Sequence, residues 1–145
     1  MSETVQVRAA TEATEELVAA FRRLIPQLSS ATPPDLHALK EILAAPSNTV
    51  LLAYQGAAIV GTLTLVTFRI PTAVRAWIED VVVDASARGR GVGEALTREA
   101  LRIAAERGAK TVELTSRASR AAANRLYMRA GFAPRETNVY RYVLK

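Results

Sequence analysis

A strand followed by a loop, a helix and a second strand, in the second half of the chain, constrains the fold most. Residues 75–84 contain a run of valines and predict a strand buried on both faces. A loop rich in glycine and arginine follows, then a helical pattern from about Val92 to Arg107 that ends at Gly108 as a C-cap. Residues 110–116 alternate as a strand does. Because such a connection normally leaves its two strands parallel, the sequence predicts a parallel pair.

Periodicity predicts the other elements of a single domain that spans residues 1–145. In chain order they are a strand over 5–9, a helix capped by Thr11 or Thr14, a helix capped by Asp35, paired strands over 49–54 and 58–68 joined by a short turn, a helix over 120–130, and a last strand over 138–144. Together with the parallel pair, these elements predict an α/β fold with a mixed sheet.

Composition excludes several kinds of site. The chain has 145 residues and no cysteine, which excludes disulfides, cysteine-ligated metals and a cysteine nucleophile. Its single histidine, His37, is predicted to lie on a helix surface and gives poor support to a multi-histidine metal site. No run approaches the ~20 apolar residues of a transmembrane helix, and the N-terminus lacks the basic and apolar regions of a signal peptide. We therefore expect a cytoplasmic protein with no metal and no membrane partner.

Positive charge is concentrated in the second half of the chain. The formal net charge is +5, with residues 1–72 at −1 and residues 73–145 at +6. Such an excess suits a nucleic acid, an anionic cofactor or an acidic substrate. Coding bias explains it as well, because 16 of the 19 basic residues are arginine. Composition alone leaves these alternatives open.

The loop over residues 88–93, with the sequence RGRGVG, is the sharpest local motif. Its glycines let the backbone approach a ligand and present successive N–H groups, and the N-terminus of the following helix adds positive potential. A pyrophosphate is therefore a natural guest. The spacing fits neither a Walker A loop nor a dinucleotide fingerprint, because no Lys-Ser/Thr pair follows and the glycines are not spaced G-x-G-x-x-G. A simple tight turn is the alternative.

With its surroundings, this loop resembles the coenzyme A loop of the GNAT superfamily, the acetyl-CoA-dependent N-acetyltransferases. The family pattern of Arg or Gln, two residues, Gly, one residue, then Gly or Ala is matched by Arg88, Gly91 and Gly93 after a valine-rich strand. A second family block, an Asn and a Tyr on a helix that ends in Gly-Phe, is matched by NRLYMRAGF over residues 124–132. The two blocks stand in the family's order and at its separation.

The resemblance implies a mixed, mostly antiparallel sheet with helices on both faces and a splayed parallel strand pair. It implies that the pantetheine of acetyl-CoA lies in the opening of that pair, against the backbone of the first strand, while the pyrophosphate lies on amides of the glycine loop. The expected cofactor-binding residues are Val81, Val82, Val83, Arg88, Gly89, Arg90, Gly91, Val92, Gly93 and Asn124.

The resemblance also assigns chemistry to the second block. Tyr127 matches the tyrosine that donates a proton to the departing thiolate, and a phenol suits this task because its pKa of about 10 keeps it protonated at neutral pH. Asn124 lies three residues earlier on the helix, so both side chains can face one cleft. Its expected role is a hydrogen bond to the cofactor arm. Packing on a helix face is the alternative for both residues.

Glu79 is the expected general base, acting through water or by orienting the amine, since the family often has a glutamate at this point. Alternation along the strand predicts that Glu79 and Asp80 lie on opposite faces, half-buried beside Trp77 and Ile78. Carboxylates in such surroundings are costly unless they are used or paired. Asp80 is the second candidate for the base.

The resemblance implies transfer of an acetyl group to a primary amine by direct attack in a ternary complex, which agrees with the absence of cysteine. The acceptor is a small-molecule amine or a protein amine, and the loops expected beside it, 27–34 and 68–76, carry no recognisable code. No nucleic-acid partner is expected. The alternating strand over 138–144 suggests a homodimer, since an apolar edge invites pairing. A coenzyme A-binding sensor or partner-binding domain without catalysis is the alternative function.

Overall fold

The computed structural model describes residues 4–145, and the chain divides into two compact units, Met1–Thr115 and Ser116–Lys145. The first unit contains a five-stranded sheet and three α-helices, and the second contains one α-helix. In chain order the elements are β1 (Val5–Ala9), α1 (Glu15–Leu24), α2 (Leu36–Ala44), β2 (Asn48–Gln55), β3 (Ala58–Ile70), β4 (Ala73–Val83), α3 (Val92–Glu106), β5 (Thr111–Glu113) and α4 (Ala121–Ala130), with 3-10 turns over Ile25–Gln27 and Ala85–Ala87.

The first two helices begin where their capping residues allow. The Thr14 hydroxyl accepts a hydrogen bond from a first-turn backbone N–H of α1 at 3.1 Å, and the Asp35 carboxylate does the same for α2 at 2.8 Å. Both caps were predicted from the sequence and are confirmed. His37 lies exposed on α2 beside Glu41, as predicted. Across residues 4–145 the helices are too short or too polar to span a bilayer.

The sheet of the first unit has the strand order β1-β2-β3-β4-β5. The first four strands pair antiparallel with their neighbours, and β5 pairs parallel with β4. A two-residue turn joins β2 to β3, and Gly56 in that turn has a φ of +61°. The predicted mixed sheet, hairpin and parallel pair are therefore confirmed.

Helices cover both faces of the sheet. Along β2, Val50 and Leu52 belong to the core that packs against α1 and α2, while Leu51 and Ala53 between and beyond them are fully buried on the other face. A Cβ built at Gly61 of β3 would lie 3.0 Å from Val92 and 3.2 Å from Leu96, both on α3. The second face is thus covered by α3, and Gly61 lets the first turns of that helix approach the strand closely.

The predicted last strand over residues 138–144 is wrong. Residues 132–145 form no helix or strand, and the large apolar side chains of this segment are exposed, Tyr140 at 88% and Leu144 at 85%. An alternating pattern makes a strand only where a neighbouring backbone supplies its hydrogen bonds, and the structure supplies none here. The predicted homodimer depended on this strand and stays a prediction without it. The strand predicted over 110–116 is real but shorter, Thr111–Glu113.

Candidate active site

A β-bulge in β4 sets the geometry of the candidate site. Two residues of β4, Asp80 and Val81, lie opposite one residue of β3, Leu63, where the register shifts. Asp80 has a φ of +51°, and within residues 4–145 it is the one non-glycine residue in the left-handed region. That conformation costs an L-residue about 1–2 kcal/mol. Bulges of this kind re-aim side chains and are common next to active sites.

The bulge changes which face of the sheet the following side chains reach. Before the bulge, Ile78 pairs with Leu65 on the face that α3 covers. After it, Val82 belongs to the core beneath α1 and α2, although simple alternation from Ile78 would put it on the face of α3. The extra residue is therefore what exchanges the faces along the second half of β4.

The predicted placement of Glu79 and Asp80, half-buried on opposite faces, is wrong. Both residues are exposed. Glu79 pairs with Thr64 of β3, and Asp80 lines a cavity together with the same Thr64. The alternation on which the prediction rested is interrupted at Asp80, so both carboxylates lie toward the side of the sheet that α1 and α2 cover.

The parallel pair separates along β4. Pairing with β5 runs from Arg75 to Trp77 and stops there, while β4 continues to Val83. Val81, Val82 and Val83 therefore lie on the part of β4 beyond β5, with one backbone edge paired to β3 and the other facing away from it. An extended ligand chain can hydrogen-bond to such an edge as a further strand does. The expected splayed pair is confirmed.

Side chains of α1 and of the 3-10 turn that follows it hold the turn between β4 and the glycine loop, residues 88–93. The Asp84 carboxylate accepts hydrogen bonds from the Ser86 backbone N–H and hydroxyl, each at 3.0 Å, and from Arg23 Nε at 3.1 Å. The Ser86 backbone N–H is the largest cause that lowers the pKa of Asp84, and burial opposes it in part. Gln27 Oε1 accepts a hydrogen bond from the Ala85 N–H at 2.9 Å. This network was not predicted from the sequence, because nothing in the spacing of Arg23 and Gln27 links them to residue 84.

The glycine loop itself is open on one side. Gly89 and Gly91 have φ values of +79° and +78°, and a Cβ built at either would meet nothing within 4 Å. Gly91 is the N-cap of α3 and has no side chain with which to satisfy the first-turn N–H groups. Arg88 and Arg90 are exposed. The loop thus combines an uncapped helix N-terminus with positive charge, which is the arrangement that binds phosphate.

The side chains of two loop residues, Val92 and Arg88, make contacts within the protein. Val92 is 1% exposed and packs toward Gly61, so only its backbone is available to a ligand. Arg88 Nε donates a weak hydrogen bond to the Val83 carbonyl at 3.4 Å, which ties the loop back to the end of β4. The structure therefore brings the strand and loop members of the expected cofactor set, residues 81–83 and 88–93, into one continuous segment.

Tyr127 and Asn124 belong to the second unit and share one face of α4. The less exposed residues of this helix are Ala123, Asn124, Leu126, Tyr127 and Ala130, which recur at helical spacing. The Tyr127 ring makes an edge-to-face contact with Phe132, with centroids 5.8 Å apart. Burial raises the pKa of Tyr127, and the positive charge of Arg120 offsets this in part. The phenol is therefore protonated at neutral pH.

Asn124 has a partner inside its own unit. Its Nδ2 donates a hydrogen bond to the Arg117 carbonyl at 3.1 Å, just before α4 begins. This bond orients the amide and leaves its oxygen as an acceptor. The Asn124 amide oxygen can thus accept a hydrogen bond from a cofactor arm, while Nδ2 already donates one to Arg117.

A cavity of about 370 Å³ lies beside the sheet, between α1, the following loop and α2. We call it the α1–α2 cavity. Its lining is mostly apolar and includes Phe21, Leu28 and Leu39, and Thr64 and Asp80 line it from the sheet. No sequence pattern predicted this cavity, although the loop over residues 27–34 was expected to lie beside the acceptor.

Comparisons with known proteins bear on both family and fold. Residues 11–132 match the model of the acetyltransferase (GNAT) family. A mycothiol acetyltransferase from Beutenbergia cavernae is 41% identical over 66 residues, which are 46% of this chain and 22% of that enzyme. The match therefore spans less than a quarter of the relative.

Solved structures share the fold over nearly the whole chain. An aminoglycoside acetyltransferase from an uncultured soil metagenomic sample, in complex with sisomicin, matches with a TM-score of 0.84 at 20% identity and 97% coverage of both chains. A transcriptional regulator from Bacillus halodurans C-125 matches with a TM-score of 0.79 at 29% identity, covering 97% of this chain and 100% of that one. The predicted fold, a mostly antiparallel sheet with helices on both faces, agrees with these neighbours.

Proposed function

Because the chain belongs to the GNAT acetyltransferase family, we propose that it transfers the acetyl group of acetyl-CoA to a primary amine by direct attack in a ternary complex. We further propose that residues 1–145 act as one N-acetyltransferase domain. The observation that carries the proposal is the open glycine loop at the N-terminus of α3, directly after the stretch of β4 that lies beyond β5. Family members use acetyl-CoA as their co-substrate.

The residues of the first unit fit coenzyme A. A Cβ at Gly89 or Gly91 would stand in open space, so without one the loop backbone can approach a pyrophosphate closely. The N–H groups at the start of α3 would bind its oxygens, and Arg88 and Arg90 would add charge. The β4 edge over Val81–Val83 would hydrogen-bond to the amides of the pantetheine arm. No residue in this set requires a metal.

Acetyl transfer to an amine makes three demands on the protein. The amine must be neutral, the thioester oxygen must be stabilised as it gains charge, and the departing sulfur must receive a proton. Tyr127 is assigned to the third task, since burial raises the pKa of its phenol and keeps the proton on it. Asn124 is assigned to the cofactor arm through its free amide oxygen. Packing against Phe132 is the competing role for Tyr127.

Glu79 is assigned to the first task. Because Glu79 is exposed, water reaches its carboxylate, and a relay water can carry the proton from the amine to it. Asp80, its neighbour on the bulge, is the second candidate for this role. The acceptor in this proposal is a small-molecule or protein amine, the cellular location is the cytoplasm, and neither nucleic acid nor membrane takes part.

The experiment is thiol release from acetyl-CoA across a panel of primary amines. Tyr127→Phe deletes only the hydroxyl, and general-acid assistance is typically worth about 10²- to 10⁴-fold, so turnover should fall by that factor while acetyl-CoA affinity stays the same. Tyr140→Phe is the matched control, because Tyr140 lies in the same unit and is 88% exposed. A Tyr127→Phe variant within about threefold of wild type assigns the residue to packing. If the protein binds coenzyme A but releases no thiol from acetyl-CoA with any amine, the result favours the sensor function.

A further inference from the structure

The α1–α2 cavity combines an apolar wall with a single formal charge. Its lining comes from α1, α2, the segment between them and three strands, β2, β3 and β4, and it is apolar apart from Ser29, Thr32, Thr64 and Asp80. Asp80 is the one residue in this lining with an ionisable side chain. At about 370 Å³, the cavity is near the lower end of the ~300–1,000 Å³ typical of small-molecule sites.

Asp80 lines this cavity only because of the bulge. In a regular strand the residue after Glu79 would point to the face covered by α3, which is filled by buried side chains such as Leu63 and Leu65. The backbone at Asp80 instead takes a φ of +51°. Strain of this kind in a non-glycine residue is found mainly at sites where it has a function.

Size and charge together restrict what the cavity can hold. Burying apolar ligand surface against an apolar wall is favourable, whereas burying a hydroxyl group that finds no hydrogen-bond partner there is costly. Asp80 adds one negative charge beside such a wall and attracts a cation, and because the residue is exposed, water weakens this attraction. A compact apolar group that carries one ammonium satisfies both features. An aminoglycoside also offers ammonium groups, but its linked polar rings are too large and too strongly hydrated for the apolar wall.

We infer that the α1–α2 cavity is the acceptor subsite of this chain and that it selects compact apolar primary amines, with the ammonium at Asp80. This inference rests on the proposed acetyl transfer and specifies its acceptor class. Asp80 acts as a specificity-determining residue: it captures the ammonium, and the amine then loses a proton to the base before it attacks. Its removal should therefore weaken binding of the amine.

The test measures binding without turnover. With coenzyme A present, the affinities of phenethylamine, its neutral isostere 2-phenylethanol, and glucosamine are measured by calorimetry or ligand-observed NMR. The variant is Asp80→Asn, because asparagine tolerates the left-handed backbone and keeps the shape of the side chain. Ala38→Leu fills the cavity from α2 with a good helix former. Glu41→Gln, an exposed charge on the same helix, is the control.

Wild type should bind phenethylamine more tightly than glucosamine. Asp80→Asn should weaken phenethylamine binding by about two- to fivefold, as expected for an ion pair at an exposed carboxylate, and leave 2-phenylethanol binding unchanged. Ala38→Leu should weaken both aromatic ligands, and Glu41→Gln should weaken none. Equal phenethylamine binding by wild type and Asp80→Asn, or tighter binding of glucosamine than of phenethylamine, overturns the inference.

The two proposals fail in different ways. Acetyl transfer that is confined to polyhydroxylated amines such as glucosamine overturns the cavity assignment and leaves acetyl transfer intact. Amine binding that depends on Asp80, in a protein that does not release thiol from acetyl-CoA with any amine, supports an amine-binding cavity but overturns acetyl transfer and the acceptor role with it. The thiol-release and binding experiments together therefore separate them.

Discussion

The two ends of α3 share one backbone geometry and use it in opposite ways. Gly91 precedes the helix with a φ of +78°, Gly108 follows it with a φ of +79°, and a Cβ at either position would meet nothing within 4 Å. At the C-terminal end, the N–H groups of Gly108 and Ala109 donate to helix carbonyls at 3.0 Å. At the N-terminal end, the cap residue has no side chain to play the corresponding part.

The contrast between the two ends shows which feature makes a glycine-containing turn a candidate ligand site. The left-handed conformation is common to both ends, and at the C-terminal end it is an ordinary way to stop a helix. The C-terminal end is closed by the chain's own hydrogen bonds, so its glycine is structural. The N-terminal end leaves its first-turn N–H groups to an outside acceptor and stands beside two arginines. Variants at matched positions of the two ends can test this distinction.

The largest effect is expected for Gly91→Ala compared with Gly108→Ala. Each should lower the free energy of unfolding by about 1–2 kcal/mol, the cost of an L-residue in the left-handed region. Only Gly91→Ala should also weaken coenzyme A binding, by about a hundredfold or more, because the methyl group displaces the pyrophosphate from two or more charge-assisted bonds of about 1.5–3 kcal/mol each.

The measurement is the coenzyme A-induced rise in Tm, which follows mass action. Gly108→Ala supplies the control for the backbone strain. If both variants keep the wild-type rise in Tm at equal ligand concentration, the N-terminal end of α3 does not bind phosphate.

The second prediction concerns how the open end is held against the sheet. A Cβ at Gly61 would lie 3.0 Å from Val92 Cγ1, 3.2 Å from Leu96 Cδ1 and 3.2 Å from the Val82 carbonyl. Gly61→Ala should therefore destabilise the fold by about 1–3 kcal/mol, as overpacking typically does. Urea unfolding of the variant measures this.

Val92→Ala makes room for the new methyl group, so the double variant is the matched test. We expect Gly61→Ala/Val92→Ala to lose less stability than the sum of the two single losses, since residues in contact couple. Strict additivity would show that Gly61 does not set the approach of α3 to β3.

Local chemistry explains why much of this region was predictable. The period of α3, Gly108 at its end, the glycine loop and the parallel pair all follow from residues close together in sequence. The bulge at Asp80 was not predicted, because the run Ile-Glu-Asp-Val-Val-Val contains no glycine to mark it. The α1–α2 cavity depends on how separate elements pack, which no local pattern encodes. The mistaken strand over 138–144 shows the same lesson, since strand formation needs a partner elsewhere in the chain.

The third prediction compares arginines at the two ends of α3. Arg90→Gln should weaken coenzyme A binding by about two- to fivefold, in keeping with the ~0.2–1 kcal/mol of an exposed ion pair, and Arg107→Gln should leave it unchanged. Both residues are exposed. The loss at Arg90 should shrink at 1 M salt, where charges are screened within about 3 Å. Equal effects of the two substitutions would attribute the loss to net charge alone.

The smallest effect is expected from pH, acting through Asp84 at the turn that leads to the open end. Hydrogen bonds from Ser86 and Arg23 lower the pKa of this carboxyl, so folding favours its ionised form. The stabilisation is complete above the unfolded value of ~3.9 and is lost as pH falls through the lower folded value. Wild type should therefore unfold at a higher Tm than Asp84→Asn at pH 7, and the gap should narrow below pH ~4.

Glu106→Gln is the matched control for this last effect. Glu106 is an exposed carboxylate at the C-terminal end of α3 that pairs with Arg102 across one helical turn. An exposed pair of this kind is worth ~0–1 kcal/mol, so the difference in stability between wild type and Glu106→Gln should stay within that range at every pH. A gap for Asp84→Asn that widens as pH falls has the opposite sign from the linkage argument, and it would show that the carboxylate network with Ser86 and Arg23 does not hold the start of the glycine loop.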